Sequence, residues 1–427
     1  MMYIFQRPDL FDGWDKPDWE AYNGNIILYG AGKAGYVIAY ALEKRGINYI
    51  AWCDSSAEKQ GKTYLGHSVI SPETLNNKYK NCIIIIATSH YAAICQTLNS
   101  FGFTEIYDAH SVLLTLDFNG FTEFYSMNDD FDNSMYPAWG MRIVDEYLSA
   151  IAIKKNRDTT SLMGLGIFIT QRCSLHCKHC SYGIPYINGH RDFNTQKILE
   201  SINLSMSAFN YIMQVHILGG EAFLHPDIVT IVKHSLAFDN PSKVCVVTNG
   251  TIMPDKGLIE VMKHPRFHLE ISNYGDKSKK IDELIEMCKN NGINYENTNY
   301  KFWRESAKFK PVNTPLNEEN DETKAKFARC TSAPFPTIYG GIFCLCCSSC
   351  TPIFMFKELQ TSNNCVVLEN NPHAVKDMQE FMKKTHDVSP LDLCYYCSGS
   401  PNSNFDLTIP VAEQASKQAK LKYGLFD

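Results

Sequence analysis

Three cysteines stand close together at Cys173, Cys177 and Cys180, in the run RCSLHCKHC, with the spacing C-x3-C-x2-C. Three thiolates on one loop can hold three irons of a [4Fe–4S] cluster and leave the fourth iron open. A ferredoxin saturates its cluster with four cysteines, which suits electron transfer alone; an open iron can instead bind a substrate or cofactor. The competing chemistry is a zinc loop completed by His176 or His179. A second group, Cys330, Cys344, Cys346, Cys347, Cys350, Cys365, Cys394 and Cys397, occupies the C-terminal part of the chain. A third feature is Gly30-Ala31-Gly32-Lys33-Ala34-Gly35, a G-x-G-x-x-G loop. A phosphate would sit on its backbone amides at Gly32–Ala34, with Asp54 about where an acid would meet a ribose hydroxyl.

These residues need elements to position them. Asn25 to Tyr29, Tyr49 to Cys53 and Cys82 to Thr88 read as strands, with a helix over Lys33 to Lys44 and another through Ala92 to Leu98. A short strand at Thr104 to Tyr107 follows. Alternating β and α predicts a doubly wound, parallel, Rossmann-like sheet over residues 1–112. Residues 113–160 read as a connector with one helix near Ile143 to Lys154. The alternation resumes with strands at Gly166–Thr170, Val215–Leu218, Lys243–Thr248 and Phe267–Ser272 and a weaker one near Asn294–Glu296. Helices fall between them, at Thr195–Phe209 and His225–Ala237 for example. This second α/β unit spans 161–329, and residues 305–329 read as an exposed loop. Thr337 to Tyr339, Gly340-Gly341 and Ile342 to Cys346 predict a hairpin in a separate cysteine-rich domain, 330–427.

Composition narrows the class. The chain has 427 residues, 44% hydrophobic and 20% charged, with a net charge of −6. Those values predict globular domains, and the lack of a long basic run argues against nucleic-acid binding. The most apolar run, Cys82 to Thr88, is too short for a membrane helix. The opening MMYIFQRPDL lacks a basic–apolar–small pattern, so a cytoplasmic location is expected. Sixteen cysteines in such a compartment point to metal rather than disulfides. Cys53, Cys82, Cys95, Cys245 and Cys288 are isolated in apolar surroundings and read as small buried hydrophobes.

Taken with the motifs after it, the first cysteine group resembles the radical S-adenosylmethionine (SAM) superfamily over about residues 160–305. Gly219, Gly220 and Glu221 match that family's GGE motif, Thr248-Asn249-Gly250 ends the third strand, and Ser272-Asn273 ends the fourth. The resemblance implies a partial (β/α)6 barrel and a [4Fe–4S] cluster on Cys173, Cys177 and Cys180. It implies that Glu221 holds the SAM amino group, that His179 lies near the adenine, and that Ser272 and Asn273 contact the ribose and carboxylate. Glu221 has a second reading as an acid at a helix start. The implied chemistry is reductive cleavage of SAM to methionine and a 5′-deoxyadenosyl radical that abstracts hydrogen from a substrate.

Cys330, Gly341 and Cys346, with the later Cys394-x2-Cys397, resemble the opening of the family's SPASM and twitch domains. The implied arrangement is twitch-like, with one auxiliary [4Fe–4S] cluster on Cys330, Cys346, Cys394 and Cys397. Cys344 or Cys347 can replace Cys346, and zinc is the other occupant. Gly61 to Leu75 resembles small Rossmann-like domains of sugar-modifying enzymes, implying a nucleotide, a nucleotide-sugar or a docking role for Gly30, Gly32, Gly35 and Asp54. The expected function is oxidation or epimerisation of a sugar, cyclitol or nucleotide-linked small molecule. The electron would come from an external donor such as flavodoxin or ferredoxin. The alternatives are a peptide-modifying radical SAM enzyme and a non-catalytic Fe–S protein.

Overall fold

The computed structural model describes residues 11–88, 91–116, 139–156, 159–187, 189–304, 321–328, 330, 333, 335–397 and 408–415. The chain forms two compact units, residues 2–158 and residues 159–427.

In the first unit, β1 (Ile26–Tyr29) is flanked by β2 (Ala51–Cys53) and β5 (Ile83–Ile86), both parallel to it. All three strands are buried along their length, as a parallel sheet with both faces covered requires. The full order is β3-β4-β2-β1-β5-β6, where β3 is Thr63–Tyr64, β4 is His67–Ile70 and β6 is Ile106–Tyr107. Chain order reverses at β1, which makes the sheet doubly wound and puts the helix start after β1 at the switch point. The β3–β4 hairpin lay unassigned within Gly61 to Leu75. It turns through Leu65 and Gly66, both at positive φ.

The helix Trp139–Asn156, expected in a connector, belongs to this unit. Its Tyr147 hydroxyl donates to the Ile86 carbonyl at 2.5 Å and accepts from the Ala109 amide at 3.0 Å. The first unit therefore runs past residue 112, because this buried side chain closes one backbone group at the end of β5 and another just before the helix His110–Leu113.

The second unit holds β7 (Ser161–Leu162), β8 (Leu165–Phe168), β9 (Tyr211–Leu218), β10 (Pro241–Thr248), β11 (Phe267–Asn273) and β12 (Tyr295–Asn299). A short antiparallel pair, β13 (Trp303–Arg304) and β17 (Thr408–Ile409), lies off the main sheet. The C-terminal hairpin is β14 (Thr337–Tyr339) and β15 (Ile342–Cys344), followed by β16 (Cys365–Val367). Gly340 and Gly341 both have positive φ, as a two-residue hairpin turn demands.

The sheet order is β12-β11-β10-β9-β8-β14-β15-β16. Six neighbours, β12 through β14, run parallel. The cysteine-rich segment is thus not a separate compact unit: β14 lies directly on the edge of β8, with Thr337 opposite Gly166. A Cβ on Gly166 would sit 2.6 Å from the Thr337 Oγ1, so glycine is what lets the two strands meet.

Helices Thr195–Ala208, Ile228–Leu236, Lys256–Met262 and Ile281–Asn291 connect the strands. Asn194 and Asp255 cap two of them by accepting from the Lys197 and Leu258 amides. Ile198, Ile202, Ile231 and Val232 of these helices join Val215, Ile217, Val244, Val246, Leu269 and Ile271 of the sheet in one core. The residues between these strand positions face the other side. Within 305–329 the structure has a helix, Asp321–Ala328, rather than loop throughout; residues 305–320 lie outside the described residues. No helix among the described residues is long and apolar enough to cross a membrane.

Candidate functional site

The strands β8 to β11 all end at the same edge, and each hands its motif to that edge. The loop after β8 carries Cys173, Cys177 and Cys180. It is pinned at its root by Arg172, whose guanidinium pairs with Asp192 at 2.9 Å, while Thr170 bonds the same carboxylate at 2.6 Å. The three thiols lie within electrostatic reach of one another. Burial pushes Cys173 up to about 12 and Cys177 up to about 11, and burial raises Cys180 as well. Bare thiols here hold their protons at neutral pH, and ligation of a metal must displace them.

Gly219 and Gly220 lie against this loop. A Cβ on Gly220 would fall 2.4 Å from the Arg172 carbonyl oxygen and 2.7 Å from the Cys173 Cβ; one on Gly219 would fall 2.7 Å from the Thr170 carbonyl. The glycines are needed for the cysteine loop itself to pass. The Gly220 and Glu221 amides donate to the Thr170 and Arg172 carbonyls at 2.8 Å each.

Glu221 is buried. Its carboxylate accepts from the Asn249 amide at 2.8 Å and the Phe223 amide at 3.1 Å, the second contact capping the short helix Ala222–Leu224. Burial pushes its carboxyl up to about 7, against those hydrogen bonds, which pull it down. Glu221 thus caps a helix start, and its carboxylate lies at the motif edge.

The Thr248-Asn249 turn holds the cysteine loop from the other side. Asn249 Nδ2 donates to Ser174 Oγ at 3.1 Å and lies 3.6 Å from Cys173 Sγ. Thr248 Oγ1 accepts from the Gly250 amide. At the end of β11, the Ser272 carbonyl accepts from Ser278, and Asn273 Oδ1 accepts from the Gly275 amide. Tyr274, directly after them, packs edge-on against Trp303 at 5.2 Å and beside Tyr300 at 5.8 Å. Burial raises its hydroxyl pKa, and Cys177 and Cys180 are close enough to add to the shift. Sequence reasoning missed this aromatic group, although Tyr274 follows Ser272-Asn273 immediately.

A distant segment, Ala412–Ala415, also lies over the loop. The Lys178 amide donates to the Glu413 carbonyl and the Ala415 amide to the His176 carbonyl, each at 2.7 Å. Gln414 Oε1 accepts from the His176 amide at 2.8 Å, and its Nε2 lies 3.6 Å from Cys177 Sγ. Glu413 pairs with Lys178 at 3.2 Å and lies 3.8 Å from His179 Nε2.

The second cysteine group forms two sets that meet at Cys350. Cys346 directly precedes the helix Cys347–Met355 and shares a thiol hydrogen bond with Cys347, which raises Cys346 and lowers Cys347. Cys330 is within electrostatic reach of Cys347, and Cys394 is within reach of Cys397, Cys346 and Cys330. Cys344 is the register partner of Cys365 and bonds the Cys350 thiol, and Cys350 is itself within electrostatic reach of Cys346 and Cys347.

Residues 167–300 match the model of the radical SAM superfamily. The second unit contains a radical SAM domain. Residues 22–106 of the first unit match the family described as C2185-like, N-terminal. GTP 3′,8-cyclase of Lactiplantibacillus plantarum is 33% identical over 119 residues, 26% of this chain and 35% of that protein. PqqA peptide cyclase of Bradyrhizobium diazoefficiens is 28% identical over 136 residues, 31% of this chain and 35% of that protein. The chain thus spans about a third of the length of these curated relatives. Among solved structures, BtrN in complex with AdoMet and 2-DOIA aligns with a TM-score of 0.36 at 12% identity, over 60% of this chain and 97% of that one. Streptococcus suis SuiB bound to S-adenosylmethionine aligns with a TM-score of 0.25 at 17% identity, over 45% and 53% of the two chains.

Radical SAM proteins use a [4Fe–4S] cluster and SAM. The loop of this radical SAM domain fits a cluster: three thiols converge, and side-chain amides of Asn249 and Gln414 approach two of the sulfurs, the kind of contact that tunes a cluster.

In the first unit, the glycines of the G-x-G-x-x-G loop divide by role. Gly30 is at φ +123°, and its Cβ would meet the Ala87 carbonyl at 2.8 Å; a Cβ on Gly35 would meet the Gly30 carbonyl at 2.2 Å. Those two serve the fold. Gly32 has open space, with only Lys59 Nζ nearby, at 3.9 Å from its Cβ position. Asp54, expected at a ribose hydroxyl, closes the loop: it accepts from the Ala31 amide at 2.9 Å, the Ser56 amide at 2.9 Å and Lys59 at 3.0 Å.

Proposed function

We propose that the chain is a radical SAM enzyme that oxidises or epimerises a sugar, cyclitol or other small, nucleotide-linked substrate. The observation that carries the radical SAM part of this reading is the convergence of Cys173, Cys177 and Cys180 with Glu221 and Asn249 at one edge of a parallel sheet. Under it, the three cysteines hold a [4Fe–4S] cluster. Glu221 takes the SAM ammonium, beside Gly219, Gly220, Thr248, Asn249, Ser272 and Asn273, with His179 toward the adenine. When bound, the cluster and SAM supply a 5′-deoxyadenosyl radical able to take hydrogen from an unactivated carbon. The chain itself fixes the cysteine loop between the Asn249 turn and the Ala412–Ala415 segment, and so limits the access of water and stray reductant.

Cys330, Cys394, Cys397 and either Cys346 or Cys347 hold the auxiliary cluster in a twitch-like arrangement. A second redox centre suits an oxidation. Residues 1–112, extended by the helix Trp139–Asn156, bind the nucleotide part of the substrate at Gly32 and Lys59. A flavodoxin or ferredoxin supplies the electron.

A second reading, a peptide substrate, is favoured by the 28% identity to a PqqA peptide cyclase. The two are separated by reducing the anaerobic protein with SAM in the presence of C-deuterated nucleotide-sugars or of short peptides. Deuterium in 5′-deoxyadenosine from a nucleotide-sugar supports the first reading. Stimulation by peptides alone would replace it.

A further inference from the structure

Three side chains with metal-ligating chemistry meet in the second unit, apart from both cysteine groups. His216 on β9, Cys245 on β10 and Glu270 on β11 bring an imidazole nitrogen, Sγ and a carboxylate oxygen within 4.8 Å of one another. Sheet register assembles them. Cys245 is the partner of His216 across β9–β10 and of His268 across β10–β11, and Glu270 follows one pleat further along β11. Their strand neighbours Val215, Ile217, Val244, Val246, Leu269 and Ile271 pack into the helix-covered core, so alternation turns the three side chains to the opposite face.

The spacing is that of ligands around one ion. His216 Nε2 and Glu270 Oε1 are 3.4 Å apart, long for a hydrogen bond. Two ligands of a tetrahedral ion with bonds of about 2.0–2.2 Å stand about 3.3–3.6 Å from each other. A set of one imidazole, one thiolate and one carboxylate suits Zn²⁺, which also survives strongly reducing conditions because it has no redox chemistry. Cys245 is fully buried, which shields its sulfur from solvent.

We propose that His216, Cys245 and Glu270 form a mononuclear Zn²⁺ site with an open fourth position. The ligand for that position is indicated one pleat away. Gln214 and Lys243 are register partners, and their Oε1 and Nζ atoms are buried with no hydrogen-bond partner among the described residues. Buried polar atoms ordinarily have partners. A Lewis acid beside a buried ammonium fits an oxygen-rich, anionic or readily ionised group, such as a sugar hydroxyl or a carboxylate. The identity of that group rests on the proposed function; the metal site itself does not.

The test uses the full chain with its clusters reconstituted, supplied with Zn²⁺ and then passed over a chelating resin. Iron and zinc are counted per chain, and X-ray absorption is recorded at the zinc edge. About one zinc should remain, with one sulfur at about 2.3 Å and nitrogen or oxygen at about 2.0–2.2 Å. His216→Gln, Cys245→Ser and Glu270→Gln should each lower zinc affinity by about tenfold or more while iron stays unchanged. Glu270→Gln and His216→Gln preserve volume, so they carry the test if Cys245→Ser fails to fold. Zinc that washes off the parent protein, that is bound by four sulfurs, or that persists in all three variants would overturn the site. Iron content and SAM cleavage are read on the same samples, so failure of the zinc site is distinguishable from failure of the radical SAM reading.

Discussion

Gln414 Nε2 lies 3.6 Å from Cys177 Sγ, although the two residues are far apart in the chain. The same side chain accepts the His176 amide, so Gln414 both holds the loop and addresses one sulfur. A hydrogen bond worth about 0.5–1.5 kcal/mol that stabilises the reduced cluster corresponds to about 20–60 mV for a one-electron couple. Gln414→Ala should therefore lower the reduction potential of the SAM cluster by about that much with iron content unchanged, as read by redox titration under electron paramagnetic resonance. An unchanged potential would reduce Gln414 to a loop anchor.

Gly220→Ala should disrupt cluster loading without touching a ligand. Its new methyl group would fall on the Arg172 carbonyl and the Cys173 Cβ, and neither can move without displacing the cysteine loop. Iron per chain should drop by about half, to the auxiliary complement of about four irons. Gly32→Ala is the control, since its φ is −131° and the nearest atom to its Cβ position is Lys59 Nζ at 3.9 Å. Equal iron in the two variants would contradict the packing argument.

Glu221→Gln separates charge from capping. The amide oxygen can still accept from the Phe223 amide, so the short helix Ala222–Leu224 should persist, while the amide nitrogen faces the Asn249 N–H and gives up that bond. The charge-assisted contact to an ammonium, worth about 1.5–3 kcal/mol, is lost, and SAM affinity should fall by at least about tenfold. Equilibrium binding on the cluster-loaded protein measures this. Unaltered affinity returns Glu221 to a purely structural acid.

Much of this architecture was legible because parallel strands buried on both faces read as continuous apolar runs. Ile26 to Tyr29 and Ile83 to Ile86 stand out for that reason. The motif residues after β8 to β11 stand at strand ends, and it was the resemblance to the radical SAM superfamily that singled them out. What escaped depends on long-range pairing. Nothing in the composition of Ala412–Ala415 shows that it crosses the cysteine loop. Cys245 is buried, as its apolar surroundings predict, but the neighbours His216 and Glu270 that face it come from other strands. The helix Cys347–Met355 was hidden by its cysteines and by Pro352, which blur a helical period. A usable signal was overlooked in the alternation of Gln214 with His216, Lys243 with Cys245 and His268 with Glu270 along strands otherwise apolar.

The first unit should fold alone as residues 1–158 but not as 1–112. The shorter piece lacks Tyr147 and leaves the Ile86 carbonyl and Ala109 amide without their buried partner. Two buried backbone groups left unpaired cost about 1–3 kcal/mol each, beyond the packing lost with the helix. Thermal unfolding of the two fragments checks this. Within the longer fragment, Gly35→Ala should destabilise strongly, whereas Gly32→Val should leave the melting temperature nearly unchanged and, in the full chain, impair turnover of a nucleotide-linked substrate.

The central claim is that Cys173, Cys177 and Cys180 hold the cluster that cleaves SAM. The anaerobically reconstituted full chain is reduced with dithionite in the presence of SAM, and 5′-deoxyadenosine is quantified by mass spectrometry. It should form with the parent protein, and it should vanish when the three cysteines are changed together to alanine, while the auxiliary iron remains. Absence of 5′-deoxyadenosine from a fully cluster-loaded parent protein, or its undiminished formation by the triple variant, would contradict the account.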